Sequence, residues 1–209
     1  MKNLPCPDTN VLLKSACLDE FCWLHEPASH TLENGELTII PKPNSDFFRS
    51  PRGVTPLDNA PLWYVSVTGD FSFRAHLKTD LKGFGDAGGL TIRASAEEWA
   101  KLCIERSPAG EINVISVVTD GISDDANNEL LSGEEAHLRI TRRGDLIGMH
   151  YSLDGSSWRF ARAFRFPGAQ KGPLLAGLHA QSPYGEGCSA VFSELFFSEQ
   201  TVQDFKSGE

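Results

Sequence analysis

The sequence predicts an all-β protein, one antiparallel β-sandwich of jelly-roll type forming a single domain. Three observations predict it. Some ten short segments alternate apolar and polar residues with period two, as half-buried strands do. Polar, Gly-containing turns separate nearly all of them. No long segment carries the 3.6-residue period of a helix, and 209 residues suit one sandwich that buries its core without staples.

In chain order, the first strands are "ELTII" (36–40) and "LWYVSV" (62–67). In "DFSFRAHLK", Phe71, Phe73, Ala75 and Leu77 alternate with Ser72, Arg74, His76 and Lys78, the pattern of a strand buried on one face. "GFGDAGG" (83–89) then contains G-x-G-x-x-G as Gly83, Gly85 and Gly88, with Glu105 twenty positions past Gly85. A dinucleotide loop needs a buried parallel strand before the glycines and a helix directly after them, so that phosphate meets free N–H groups. Here a half-buried strand precedes, and "LTIR", with Leu90 and Ile92 alternating, follows. The glycines are therefore expected to make a turn entering a strand, and neither NAD nor ATP is expected to bind.

Residues 94–105, "ASAEEWAKLCIE", are locally ambiguous. Ser95 and Glu98 form a helix-capping pair, whereas the alternation of Leu102 and Ile104 with Lys101, Cys103 and Glu105 favours a hairpin, with "ASAEE" as its loop. The hairpin is the preferred reading. Further strands are expected at 111–119, 137–141, 146–152, 158–164, 174–180 and 188–197, with "RRGD" and "LDGSS" as hairpin loops. Phe71, Phe73, Phe192 and Phe196 are read as core. Residues 1–20 are an N-terminal extension, 21–197 the sandwich and 198–209 a C-terminal tail.

Composition limits function. Nineteen basic residues against twenty-eight acidic ones, net charge −9 with no basic cluster longer than Arg142-Arg143, argue against nucleic acid or an anionic membrane as partner. Five cysteines without a C-x-x-C pair are expected to be reduced thiols. With no apolar run long enough to span a bilayer and no apolar leader, a soluble cytoplasmic protein is expected.

The motifs "FCWLHEP", "SDFFRSPRG", "GDAGGLTIR", "EEWAKLCIE", "SVVTDGISD", "LRITRRGD" and "YSLDGSSW" follow one another as in the YesU-like family of unknown-function proteins, which includes fungal enolase-regulation proteins. The chain resembles that family over about residues 21–197. The resemblance implies a concanavalin A-like β-sandwich whose concave face carries ligands in lectins and glucanases of the same architecture. It also implies, from the family's enolase-linked name, a regulatory protein acting through a protein partner.

The chemistry-bearing patterns are sparse. The glucanase pattern E-x-D-x-x-E is absent, no two carboxylates stand at i and i+2, and six histidines are dispersed, so neither glycoside hydrolysis nor a metal centre has a sequence signature. No cofactor is expected. The segment "DGISDDANNE" (120–129), with four carboxylates and two amides, is read as a polar loop rather than a calcium site.

Strand parity supplies the candidate site. If Leu90, Ile92, Leu102 and Ile104 face the core, then Thr91, Arg93, Trp99, Lys101, Cys103 and Glu105 share the opposite face. Glu26, Asp46 and Arg49 are expected to join them from adjacent segments, unless Asp46 and Arg49 form a structural ion pair. The expected function is non-catalytic binding of a carbohydrate or small polar ligand on the concave sheet face, with Trp99 as the stacking platform and its loss leaving the fold intact. A salt-bridged outer face is the structural alternative, and a glycoside-active enzyme the third functional one.

Overall fold

A computed structural model describes residues 4–209. The first strands are β1 (Cys22–Leu24), β2 (Ser29–Glu33), β3 (Glu36–Ile40), β4 (Phe47–Phe48), β5 (Leu57–Asp58), β6 (Leu62–Val67), β7 (Phe71–Asp80) and β8 (Ala87–Arg93). There follow β9 (Glu98–Arg106), β10 (Ile112–Asp120), β11 (Ile122–Leu130), β12 (Glu135–Arg143), β13 (Leu146–Ser152), β14 (Arg159–Arg165), β15 (Leu174–Gln181) and β16 (Ser189–Ser198). Two seven-stranded antiparallel sheets result, ordered β1-β6-β15-β8-β9-β10-β11 and β14-β13-β12-β7-β16-β3-β2, while β4 and β5 pair separately. The alternation seen in the sequence is the cause. Phe71, Phe73 and Leu77 of β7 and Leu138 and Ile140 of β12 meet Leu90 and Ile92 of β8 and Leu102 and Ile104 of β9 between the sheets.

The 94–105 segment is a hairpin. Glu98 begins β9, and Ser95 accepts the Glu97 N–H (3.1 Å) instead of capping a helix. The glycine segment is a turn running into β8. Gly85 has φ +77°, and a Cβ at Gly89 would lie 2.3 Å from the Leu102 carbonyl oxygen, so close β8–β9 pairing requires glycine there. No helix follows these glycines to receive a phosphate.

Three expectations change. Residues 120–129 are not a loop: they form the turn into edge strand β11, where Asp124 pairs with Arg162 (3.1 Å) and Glu129 with Arg159 (2.9 Å). Phe196 is not core. A bulge between Ser193 and Phe196, with Glu194 at φ 53°, reverses the parity of β16, so Leu195 and Phe197 face inward and Phe196 outward. Cys6 and Cys17 are not reduced thiols but a disulfide, with Cα atoms 5.9 Å apart. Spacing alone does not register that two cysteines eleven residues apart are brought together by the turns between them. Cys22, Cys103 and Cys188 are free.

Both ends pack on the sandwich. Leu4, Val11, Leu12 and Cys17 join the main core, the Asp8 N–H donates to the Phe197 carbonyl (2.7 Å), and Phe205 covers Gly148 and the His150 ring. Among the described residues no helix is long and apolar enough to cross a membrane.

Candidate functional site

Strand parity does place Thr91, Arg93, Trp99, Lys101, Cys103 and Glu105 on the outer face of the first sheet. That face is covered. Residues 43–61, including the small β4–β5 pair, lie across it and are fastened at three places. Ser45 bridges Ser182 by two main-chain bonds of 3.2 and 3.1 Å. Arg49 donates from Nε to the Gly121 carbonyl (2.7 Å) and pairs with Glu97 (3.3 Å). Arg93 holds both Asp58 oxygens at 2.7 and 2.8 Å, its guanidinium lying 5.3 Å from the Phe47 ring centre.

Beneath this flap a second apolar cluster forms from Phe47, Leu62, Trp99, Cys103, Ile115 and Val117. Trp99 is only 1% exposed, its ring 6.0 Å from that of Phe47, so it presents no open platform to a ligand. Asp46 and Arg49 do not pair with each other. Asp46 instead receives Lys101, whose Nζ lies 3.3 Å from the carboxylate, 3.0 Å from the Phe47 carbonyl and 2.7 Å from Gln181 Oε1. Burial disfavours the Lys101 charge, but the Asp46, Cys103 and Glu105 groups outweigh it and the ammonium pKa is raised.

What remains open is a pocket of about 120 Å³ at one end of this face. Its floor holds Asp46, Lys101, Glu105 and Gln181, and Asp125 of β11 adds a third carboxylate. Phe48, Phe84 and Tyr184 border it. Phe84 is 45% and Tyr184 73% exposed, stacked with ring centres 5.0 Å apart and planes 8° from parallel. The glycine turn positions them. Buried Asp86 accepts from the Lys82 and Gly83 N–H groups (3.0 and 2.7 Å) and from Ser182 Oγ (2.6 Å), tying the loop of Phe84 to that of Tyr184. Gln181 closes the link by donating to the Gly85 carbonyl (3.0 Å).

Three of the seven sequence candidates, Asp46, Lys101 and Glu105, therefore meet at the pocket. Arg93 and Trp99 lie under the flap, Arg49 anchors its margin, and Glu26, exposed between β1 and β2, lines no part of the pocket. Phe84, Tyr184 and Gln181 were missed. A usable signal exists for the two aromatics: each sits among glycine or proline, in "GFGDAGG" and "SPYGEG", where no strand can carry its ring into a core.

Glu105 is the chemically unusual member. Burial, opposed by Lys101 and reinforced by Asp46 and Asp125, raises its carboxyl from 4.5 to about 7, and among the described residues the carboxylate's one hydrogen bond comes from Cys103 Sγ at 3.9 Å. The folded state thus binds the proton more tightly than the unfolded chain. This contribution to stability is complete below 4.5 and is lost as pH rises from there through about 7. Denaturation midpoints of wild type and Glu105→Gln, compared across that window, should diverge, the variant losing less stability as pH rises. Parallel curves would show that Glu105 titrates normally.

Among the described residues no three His, Cys, Asp or Glu side chains converge as metal ligands. No functionally curated protein matches the chain. Among solved structures, a functionally unknown protein from Saccharomyces cerevisiae superposes with TM-score 0.80 at 26% identity, covering 87% of this chain and 97% of that one. A xylan β-1,4-xylosidase from Bacillus halodurans matches with TM-score 0.67 at 14% identity over 86% of this chain, which spans only 39% of the enzyme. The CBM2 module of the evolved Dit protein of Lactobacillus casei phage J-1 gives TM-score 0.54 at 12% identity, covering 85% of this chain and 89% of the module. At such identities the last two share the sandwich fold and nothing finer. Over residues 23–200 the sequence matches the family model described as protein of unknown function DUF1349, and the chain belongs to that family.

Proposed function

We propose that the chain is a carbohydrate-binding protein whose ligand enters the pocket between Phe84, Tyr184 and the Asp46–Lys101–Glu105 floor. The observation that carries this reading is the exposed, stacked Phe84–Tyr184 pair beside buried charged groups. A sugar ring offers C–H faces to an aromatic surface and hydroxyls to carboxylate, ammonium and amide groups, the complement of this lining. The pocket is smaller than the roughly 300–1,000 Å³ of drug-sized sites, so it takes one ring edge-on, at a chain end or a branch. Glu105, neutral below about 7, donates a hydrogen bond there that an ordinary carboxylate cannot. The resemblance to YesU-like proteins is compatible with this reading but names no ligand.

Xylo-oligosaccharides and a monosaccharide panel are the first probes, because one protein sharing the fold is a xylan β-1,4-xylosidase. Titration calorimetry should show binding that Tyr184→Ala weakens about ten-fold or more, since the ring is exposed and its loss spares the core. Binding indifferent to both Tyr184→Ala and Glu105→Gln would place the ligand elsewhere. Sugar turnover abolished by Glu105→Gln would make the pocket an active site, a reading favoured by a carboxyl held near 7 beside other carboxylates. A stoichiometric protein partner with no sugar binding would favour the regulatory alternative.

A further inference from the structure

We propose that a second site, on the outer face of the other sheet, binds a small molecule carrying an oxyanion, either phosphate or carboxylate, between Arg74 and Arg139. The two arginines are direct cross-strand partners on β7 and β12. Like charges placed opposite one another on a sheet oppose folding, and this acidic chain would be expected to neutralise them. Among the described residues no carboxylate stands within ion-pair distance of either. Asp8 and Glu209 reach the same cavity without pairing, and the Glu209 main-chain oxygen is occupied by the Gln203 and Asp204 N–H groups (2.7 and 2.8 Å).

Aromatic rings hold both guanidinium groups without discharging them. Arg74 lies 4.6 Å from the Phe196 ring centre and Arg139 4.1 Å from that of Trp158. Phe196 is available because the Glu194 bulge turns it outward. A cation over a ring face is held by the ring's quadrupole and not by a counter-charge, so the guanidinium N–H donors still call for an anionic acceptor. One Arg139 edge is used, Nη2 donating to the Gly208 carbonyl at 2.6 Å, while its Nε is buried without an acceptor. The Arg74 side chain makes no hydrogen bond within the described residues. Burial, and secondarily Arg74, lower the Arg139 pKa to about 10, so the pair is poorly compensated as it stands. The cavity above them measures about 450 Å³, within the range of metabolite sites, and Ser72 and Ser198 add hydroxyls to its wall.

The test is calorimetric titration with inorganic phosphate and citrate at ionic strength held constant with sodium chloride, so that general screening is matched. Saturable binding of at least one is expected, weakened about ten-fold or more by Arg74→Gln and by Arg139→Gln. Arg139→Lys keeps the charge but loses the fork, and should weaken binding as well. Preference for phosphate or for citrate decides the ligand class. Arg139 also ties down Gly208, so its variants carry a folding risk; Arg74 makes no such bond, and Arg74→Gln keeps the result readable. No binding above that of chloride, or binding that survives Arg74→Gln, overturns the proposal.

Discussion

Lys101→Met is expected to destabilise the protein by about 3–5 kcal/mol, the usual cost of removing one partner from a buried ion pair. The Lys101 side chain is 2% exposed, and its ammonium is shared by the Asp46 carboxylate, the Phe47 carbonyl and Gln181. Its removal leaves Asp46, itself largely buried, without its cation, and frees Gln181 on the side opposite its bond to Gly85. The variant therefore loosens the flap and the aromatic rim together. Urea denaturation measures the loss, and the double variant Lys101→Met/Asp46→Leu should recover much of it, since no uncompensated charge then remains. A cost under about 1 kcal/mol for Lys101→Met would mean that water reaches the pair and that the flap opens in solution.

Trp99→Ala should cost a comparable amount, about 3–5 kcal/mol, by leaving a cavity under Phe47. This reverses the expectation from strand parity, which made Trp99 an exposed platform whose loss spares the fold. The ring is enclosed by the flap, stands 5.7 Å from Lys101 Nζ, and belongs to the smaller apolar cluster. A thermal melt distinguishes the two roles: reduced stability with sugar affinity kept in the fraction still folded identifies a packing residue. A wild-type melt would return Trp99 to the ligand.

The strands were legible because alternation is a local record of which face is wet. "ELTII", "LWYVSV" and "LIGMHYS" are strands over their whole expected lengths, and the parity that grouped Arg93, Trp99, Lys101 and Glu105 holds residue for residue. Parity divides residues between faces, but it is silent on what lies above a face. Residues 43–61 show why. They are rich in proline and polar side chains, contain only two two-residue strands and carry no period. Their course is set by contacts from Ser45 to Ser182, Arg49 to Gly121 and Asp58 to Arg93, all between residues distant in sequence.

The same limit explains the other differences. β11 is an edge strand, so its solvated side chains read as a loop although its backbone is paired with β10. One residue of left-handed backbone at Glu194 moved Phe196 from the core face to the outer one, where it meets Arg74. The sequence by itself thus determined the sandwich and, outside the β16 bulge and edge strand β11, the division of strand residues between faces, because side-chain alternation is set by each strand's own geometry. Which face is roofed, which carboxylate Lys101 meets and where the aromatic rim stands were decided only in the tertiary structure, because loops without a period are placed by hydrogen bonds and ion pairs to residues distant in sequence.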